Sequence, residues 1–294
     1  MDQIPILLDT DIGSDIDDAV ALAYLLRQPR CELLGITTGT GNVAQRCACA
    51  EVICRAAGRT DVPIHAGRER PLLIGPGQPN APQYDAIKNL PHRTDWPTNT
   101  AVEFLRRTIR SRPGEITLLT IGPLGNIALL FALDPEVAHL LKAIVSMAGI
   151  FYGEPDAREW NVLVDPVAAA IVYNTTRAPH ASFGLDVTLQ CAMDPGEVRR
   201  RFTDPVLKTV GDMARVWFET RPTMIFHDPL AAAAIFEPGL CGVESGRVQI
   251  DIDGGAQKAG RSIFTPGDDA VGPDRVAKTV NVAGFFEAYF KVFN

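Results

Sequence analysis

The chain has 294 residues, 46% hydrophobic and 21% charged, the balance of a globular protein long enough for one large α/β domain, and a single domain over 1–294 is expected. A net charge of -7 argues against a nucleic-acid or anionic-membrane partner, either of which would require a basic face, and favours a small neutral or cationic ligand. The six cysteines lack both the paired spacing of a zinc site and the density of a disulfide scaffold, so buried reduced thiols are expected.

In chain order, short β-rich apolar runs alternate with helical patterns, and strands are predicted over 5–10, 32–38, 62–66, 116–121, 143–148 and 182–187. Helix starts are legible between them. Thr100 with Glu103 has the spacing of a capping box, and the Asp-Pro pairs at Asp134, Asp165, Asp204 and Asp228 each offer an N-cap followed by proline at the first helical position. This alternation implies an α/β fold with an open, mostly parallel, doubly wound sheet and helices on both faces. Beyond it, 243–252 alternates as an edge strand or hairpin arm, 254–274 is loop-rich and 280–293 is a closing amphipathic helix, together a small β-rich C-terminal addition. The proline-rich segment 70–97 has the length of a lid or binding loop. With no basic segment followed by a long apolar run, and no apolar stretch of about 18 residues, a soluble cytoplasmic protein is expected.

Ligands of open parallel sheets bind outside the carboxyl ends of the strands. The first predicted strand ends inside ILLDTDIGSDIDDAVAL, residues 6–22, where Asp9, Asp11, Asp15, Asp17 and Asp18 set five carboxylates within ten residues. Two unit charges about 4 Å apart repel by roughly 4 kcal/mol at a partly buried site, so a converging cluster needs a counter-charge. Gly13 permits a tight turn there, and Ser14 or Asp15 is expected to cap the helix that follows. Capping accounts for Asp15, Asp17 and Asp18 but not for Asp9 and Asp11, which a period of two places on one side of the strand. A hard divalent cation accounts for all five, and oxygen-only ligands suit calcium or magnesium. Later strand ends bring Asn42, the run Ile121 to Asn126, Met147, then Arg158 to Asn161 and His227-Asp228 to the same face. Alone, each has a bland reading: Asp228 as an N-cap, Glu159 as a solvated charge, His227 as a buttress of a helix start.

Together, LLDTDIGSDIDDAVAL, LLGITTGTGN, TIGPLGNIA, EWNVLVDPVAA, GLDVT and FHDPLAA resemble the inosine-uridine nucleoside hydrolase family from the first strand to the last helix. The resemblance implies a fold that binds one calcium ion and hydrolyses the N-glycosidic bond of small ribonucleosides, in purine or pyrimidine salvage, as a homodimer or homotetramer. By matched motif, Asp11 resembles a general base that is also a metal ligand, and Asp18, the Ile121 carbonyl and Asp228 resemble the other metal ligands. Asp17 and Asn161 match residues that hold the ribose hydroxyls, Glu159 matches one near the 5′-hydroxyl, and Met147 and Trp160 belong with the substrate-binding set. Asp9 resembles a support of the metal site, Asn42 stands where the family orients the ribose-binding aspartate, and His227 matches a proposed acid for the leaving base.

The family pattern DxDxGxDD is here DxDxGxDxDD, which leaves Asp15 or Asp17 to meet the ribose; Asp17, adjacent to Asp18, is preferred. The span between Met147 and Glu159 is shorter than the family's and lacks its asparagine. Segment 70–97 lacks the run His-Gly-Glu/Asp-Gly-Leu-Gly, with Tyr84, His92 and Trp96 as substitutes over the base, so base preference does not transfer. Other readings compete. GTGNVA, residues 39–44, fits a dinucleotide fingerprint, but it follows the second strand, and the next strand ends without an acidic residue. Asp9-Thr10-Asp11 resembles a haloacid-dehalogenase-type phosphatase motif, with Gly13 where that motif wants Thr or Val. A non-catalytic ribose or nucleoside binder would keep the metal site without base recognition.

Overall fold

The computed structural model describes residues 3–154, 156–253, 258–268 and 272–294. In β1 (Ile4–Thr10), Ile6 and Leu8 pack on one face and Leu7 on the other, as extended backbone dictates. There follow β2 (Cys31–Thr38), β3 (Ile64–Ala66), β4 (Thr117–Thr120), β5 (Ala143–Ser146) and β6 (His180–Ser182), then the small pair β7 (Ala192–Met193) and β8 (Met224–Ile225), then β9 (Cys241–Asp251), β10 (Arg261–Pro266) and β11 (Asp274–Val280). Nine of them form one sheet in the order β10-β9-β11-β6-β5-β4-β1-β2-β3. Pairing is parallel from β3 across to β11, and β9 and β10 add to that edge antiparallel.

Helices Asp17–Arg27, Val43–Ala56, Pro205–Phe218, His227–Phe236 and Val282–Lys291 cover the Ile6 face, while Ala101–Ser111, Gly125–Leu133 and Pro166–Thr175 cover the Leu7 face. The doubly wound sheet expected from the sequence is therefore present, with its β-rich addition at the C-terminal end. Phe226 is fully buried against Phe285 and Tyr289, with ring centroids 6.1 and 5.4 Å away, so the last helix fixes the start of His227–Phe236. The six cysteines are buried free thiols. Among the described residues no helix is long and apolar enough to cross a membrane.

The chain winds from β1 outward to β3, then returns to lay β4 on the other side of β1. Such a reversal leaves a crevice beyond the carboxyl ends of β1 and β4.

Several local expectations are corrected. Asp165 and Asp204 are N-caps, accepting from Ala168 N at 3.1 Å and Val206 N at 2.8 Å. Asp134 instead follows the helix Gly125–Leu133 and pairs with Arg110 at 2.6 Å, and Asp228 makes no capping bond because its helix begins one residue earlier. Thr100 makes no capping bond; its hydroxyl meets His65 Nδ1, while Glu103 holds Arg106 and Arg107. Neither Ser14 nor Asp15 caps the first helix, whose N-cap position is Ile16. The strand expected over 182–187 ends at Ser182 and gives way to a helical turn, Leu185–Thr188, because the Asp186 carboxylate is drawn to the amides of Phe151 and Tyr152 at 2.8 and 2.9 Å. The loop expected over 254–274 contains β10 and the first residue of β11, and its residues 254–257 and 269–271 lie outside those described.

Asp204 both caps Pro205–Phe218 and receives the Arg27 guanidinium at 3.2 Å. Asp204→Ala should lower the unfolding free energy by about 1–2 kcal/mol, the usual cost of a lost cap, read as a shift in urea midpoint at unchanged slope.

Candidate active site

The crevice beyond β1 and β4 is a cleft of about 240 Å³ lined by Asp11, Ser14, Asp15, Asp17 and Asp18, by Ile121 and Met147 after β4 and β5, by Arg158 to Asn161, and by Gln78, Leu185, His227 and Asp228. β1 sets the first of these. Its Thr10 faces the first helix, where its hydroxyl donates to Asp18 Oδ1, and its Asp9 takes hydrogen bonds from Thr37 and from Asn126 Nδ2 at 2.8 Å. Past the strand, the Asp11 backbone lies so close to β4 that a Cβ on Gly122 would stand 2.7 Å from Asp11 N and 2.9 Å from its Oδ1. Glycine is required there.

Gly13, at φ +112°, then turns the chain into the helix that carries Asp17 and Asp18 in its first turn. From the far side, Asp228 N donates to Asp17 Oδ2 at 3.0 Å. One carboxylate oxygen from each of Asp17, Asp18 and Asp228 lies within 4.8 Å of the others. That trio contains Asp17, which the sequence assigned to ribose, in place of Asp11, which lines the same cleft. Burial pushes Asp11, Asp15, Asp17, Asp18 and Asp228 above the ordinary carboxylate range, Asp17 to about 6. Repulsion among them adds to the effect at Asp15, Asp18 and Asp228. Burial also raises Asp9 to about 7.

The side chains beyond β5 are held from below. Asn161 Nδ2 donates to the carbonyls of Ile121 at 3.1 Å and Met147 at 3.0 Å. Glu159, 2% exposed and raised by burial to about 7, accepts from the amides of Gly149, Asn161 and Val162. Its carboxylate thus caps the helix Trp160–Val164, with three of about four acceptor positions taken. His227 Nδ1 meets Thr188 Oγ1 at 2.7 Å, and burial lowers its pKa, against the pull of Asp15.

Other sequence expectations part company with the cleft. Asn42 is an exposed N-cap that accepts from Gln45 N at 3.1 Å, because the turn after β2 aims it along its own helix. The residue that braces the carboxylate strand is Asn126. Tyr84 and His92 bond each other at 3.2 Å, and Trp96 is buried against Val43, Cys47 and Ala66; none of the three lines the cleft, which takes Gln78 from their segment. Arg46 and Gln78 were missed, and Asn126, expected at this face, had been given no role. The signal for Arg46 was a guanidinium immediately before the mostly apolar run Cys47 to Cys54.

The donor set suits a hard divalent cation. The cluster is all oxygen, buried and of one sign, and Arg46, behind the carboxylate turn, hydrogen-bonds carbonyls and a hydroxyl rather than carboxylates.

The family model described as inosine-uridine preferring nucleoside hydrolase matches residues 6–287. Pyrimidine-specific ribonucleoside hydrolase RihA of Escherichia coli (strain SMS-3-5 / SECEC) is 32% identical over 255 residues, 81% of either chain. Uridine nucleosidase 1 of Arabidopsis thaliana is 29% identical over 309 aligned positions, covering 96% of this chain and 90% of that one. Among solved structures, a plant nucleoside hydrolase, the PpNRh1 enzyme, aligns with a TM-score of 0.83 at 25% identity over 99% of this chain and 98% of that one. The purine-preferring ribonucleoside hydrolase from Gardnerella vaginalis aligns at 0.81 and 26% identity, over 98% of each.

Asp9, Asp17 and Glu159 hold their protons more tightly folded, near 6 to 7, than at their ordinary values of 3.8 to 4.5. At these three groups the folded state binds more protons in that window, so without metal their contribution to stability is fully present below pH of about 4 and is lost as pH rises to about 7. The buried His180, held down to about 3, contributes in the opposite sense over the same range. In chelator, Glu159→Gln should therefore gain stability relative to the parent chain as pH rises from about 4 to about 7, read by urea unfolding of the two. A divalent cation at a hundredfold excess over its dissociation constant should restore about 2.7 kcal/mol at pH 7. No relative gain of the variant over that range would contradict this reading.

Proposed function

Because the chain belongs to the inosine-uridine preferring nucleoside hydrolase family, whose members are N-glycosyl hydrolases acting on ribonucleosides, we propose that it splits ribonucleosides into free base and ribose with the help of one calcium ion. The observation that carries the proposal is the convergence of Asp17, Asp18 and Asp228 beside Asp11 at the sheet's reversal point. Asp18, Asp228, Asp11 and the Ile121 carbonyl would hold the ion, with Asp17 near enough to join them. When bound, calcium offers six to eight positions for oxygen, enough to engage protein and sugar hydroxyls together and to acidify water.

The chain's own groups supply the rest. Breaking an N-glycosidic bond builds positive charge on the sugar, and a carboxylate-rich, water-poor cleft favours that transition state over the neutral ground state. Asp11 accepts a proton from the attacking water as it closes on the anomeric carbon. Asp17 accepts from a ribose hydroxyl, and so does Asn161 Oδ1, since its amide nitrogen is committed to the two strand-end carbonyls. Glu159 holds those groups in place and keeps one acceptor position for the 5′ side. The reaction is a single displacement with a carboxylate base and a separate acid, as in inverting glycosidases.

His227 is the candidate acid. Its Nδ1 is committed to Thr188, which leaves Nε2 to serve the departing base.

With calcium, inosine and uridine should each be tried in a panel read by ribose release. Asp11→Asn should cut turnover by at least about a hundredfold, the lower range for a lost general base, without loss of cooperative unfolding. Binding without ribose release across the panel would make the protein a nucleoside binder instead. His227→Ala should slow a natural nucleoside by about 10²- to 10⁴-fold, yet leave a nitrophenyl riboside, whose leaving group needs no proton, nearly at its original rate. Equal losses on the two would withdraw the acid role from His227.

A further inference from the structure

Arg46 is fully buried in the helix Val43–Ala56, and its hydrogen bonds reach three separate pieces of chain. Nε donates to Thr40 O at 2.7 Å in the turn after β2. Nη1 donates into the carboxylate turn, to the Asp11 carbonyl, to Ile12 O at 3.1 Å and to Ser14 Oγ at 2.8 Å. Nη2 donates into segment 70–97, to Gln78 O at 2.9 Å and Asn80 O at 3.2 Å. No lysine can replace this reach, because an ammonium offers three donors at one point whereas a guanidinium offers five along a planar fork.

The pieces also meet one another. Gln78 N donates to Thr40 Oγ1 at 3.1 Å, Asn42 N to Pro79 O at 3.2 Å, Ser14 Oγ to Asn80 O at 3.2 Å and Gln83 N to Gly13 O at 3.1 Å. Gly41, at φ +61°, approaches so closely that a Cβ there would lie 2.1 Å from Gln78 O. The backbone of Gln78 is thus pinned from two sides, and the residue lines the same cleft as Ser14 and Asp15. An amide side chain presents one acceptor and two donors, the complement of a ring edge that carries a carbonyl next to an N–H.

We propose that Arg46 is a positioning residue that locks segment 70–97 onto the carboxylate turn, and that the lock presents Gln78 as the reader of the leaving base, selecting bases with a carbonyl beside a ring N–H. The reader role rests on the nucleoside hydrolase reading above; the lock does not.

Two variants of the full chain test it. In Arg46→Lys, amide exchange across 76–83 should accelerate by about tenfold or more, as expected when several hydrogen bonds of a surface segment are lost, while exchange in Pro166–Thr175 stays as it was. Unchanged exchange across 76–83 overturns the lock. If Arg46→Lys does not fold, Ser14→Ala takes its place, since it removes one Arg46 acceptor and the Asn80 contact, and the same two outcomes apply. Gln78→Ala should raise KM for inosine and uridine by about threefold to tenfold, the worth of one neutral hydrogen bond, and by more than it lowers kcat. KM for a nitrophenyl riboside, which lacks the carbonyl and N–H edge, should not move. Equal changes on all three substrates, or none, overturn the reader role. Where no nucleoside is turned over, the proposed function fails, and exchange together with the calorimetric Kd of the same three ligands still decides this inference.

Discussion

Like charge held out of water at one strand end is the constraint on which the rest of the structure depends. Asp11, Asp17, Asp18 and Asp228 are each 5% exposed or less, and a pair of charges about 4 Å apart at a partly buried site repels by roughly 4 kcal/mol. Several such pairs would cancel the 5–15 kcal/mol or so that holds an ordinary domain folded. The cluster is tolerable only if protons or a cation neutralise it and the surrounding scaffold is stable without it. The sheet provides that scaffold with an apolar core on each face, so the charged end of β1 is held by packing to which it contributes little.

Placement of the cluster follows from topology more than from local preference. β1 and β4 are neighbours because the chain reverses direction between β3 and β4, and their carboxyl ends leave polar groups that no crossover helix covers. Alternation along β1 then divides the work: Asp9 turns toward Asn126 and the Gly125–Leu133 side, Thr10 toward Asp18 on the other. Asp228 arrives from more than two hundred residues away, on a helix whose start is fixed by Phe226 among the aromatic rings of the last helix. A hydrophobic contact far from any chemistry thereby sets the position of a carboxylate.

Much of this was legible because the signals are local. Period-two apolar runs located five parallel strands to within a few residues, and Asp-Pro marked true caps at Asp165 and Asp204, which keep the bond to their own helix although Leu72 N and the Arg27 guanidinium also reach them. The same dipeptide misled at Asp134, where Arg110 offered a stronger partner, and at Asp228, where the cluster claimed the side chain. The strand over 182–187 failed for a related reason, since Asp186 finds two amides on another loop. In the site, residues that share a motif were legible and residues that act through backbone were not. Nothing in the spacing of Arg46 tells that its partners are the carbonyls of Thr40, Asp11, Ile12, Gln78 and Asn80. The aromatic residues of 70–97 looked like base-stacking groups, but Trp96 gains more by burial with Val43 and Ala66 than by facing a wet cleft.

The division between strand ends and loop has a functional consequence. The groups suited to bond breaking sit on β1, β4, β5 and the helix starts beside them, rigid elements whose register leaves little freedom. Gln78, the residue proposed to read a departing base, comes from an irregular segment that is free to vary in length and sequence. Relatives described as pyrimidine-specific and purine-preferring match this chain over most of its length, so differences in base preference do not require a different sheet. They require a different loop held just as firmly. A loop that read the base while moving relative to the carboxylates would bind substrate without aligning it, and misalignment of about 1 Å costs roughly 10²-fold in rate. A single buried guanidinium shared between turn and loop removes that freedom, because neither piece can shift without breaking its hydrogen bonds, and the buried carbonyls of Thr40, Asp11 and Ile12 cannot replace theirs from water.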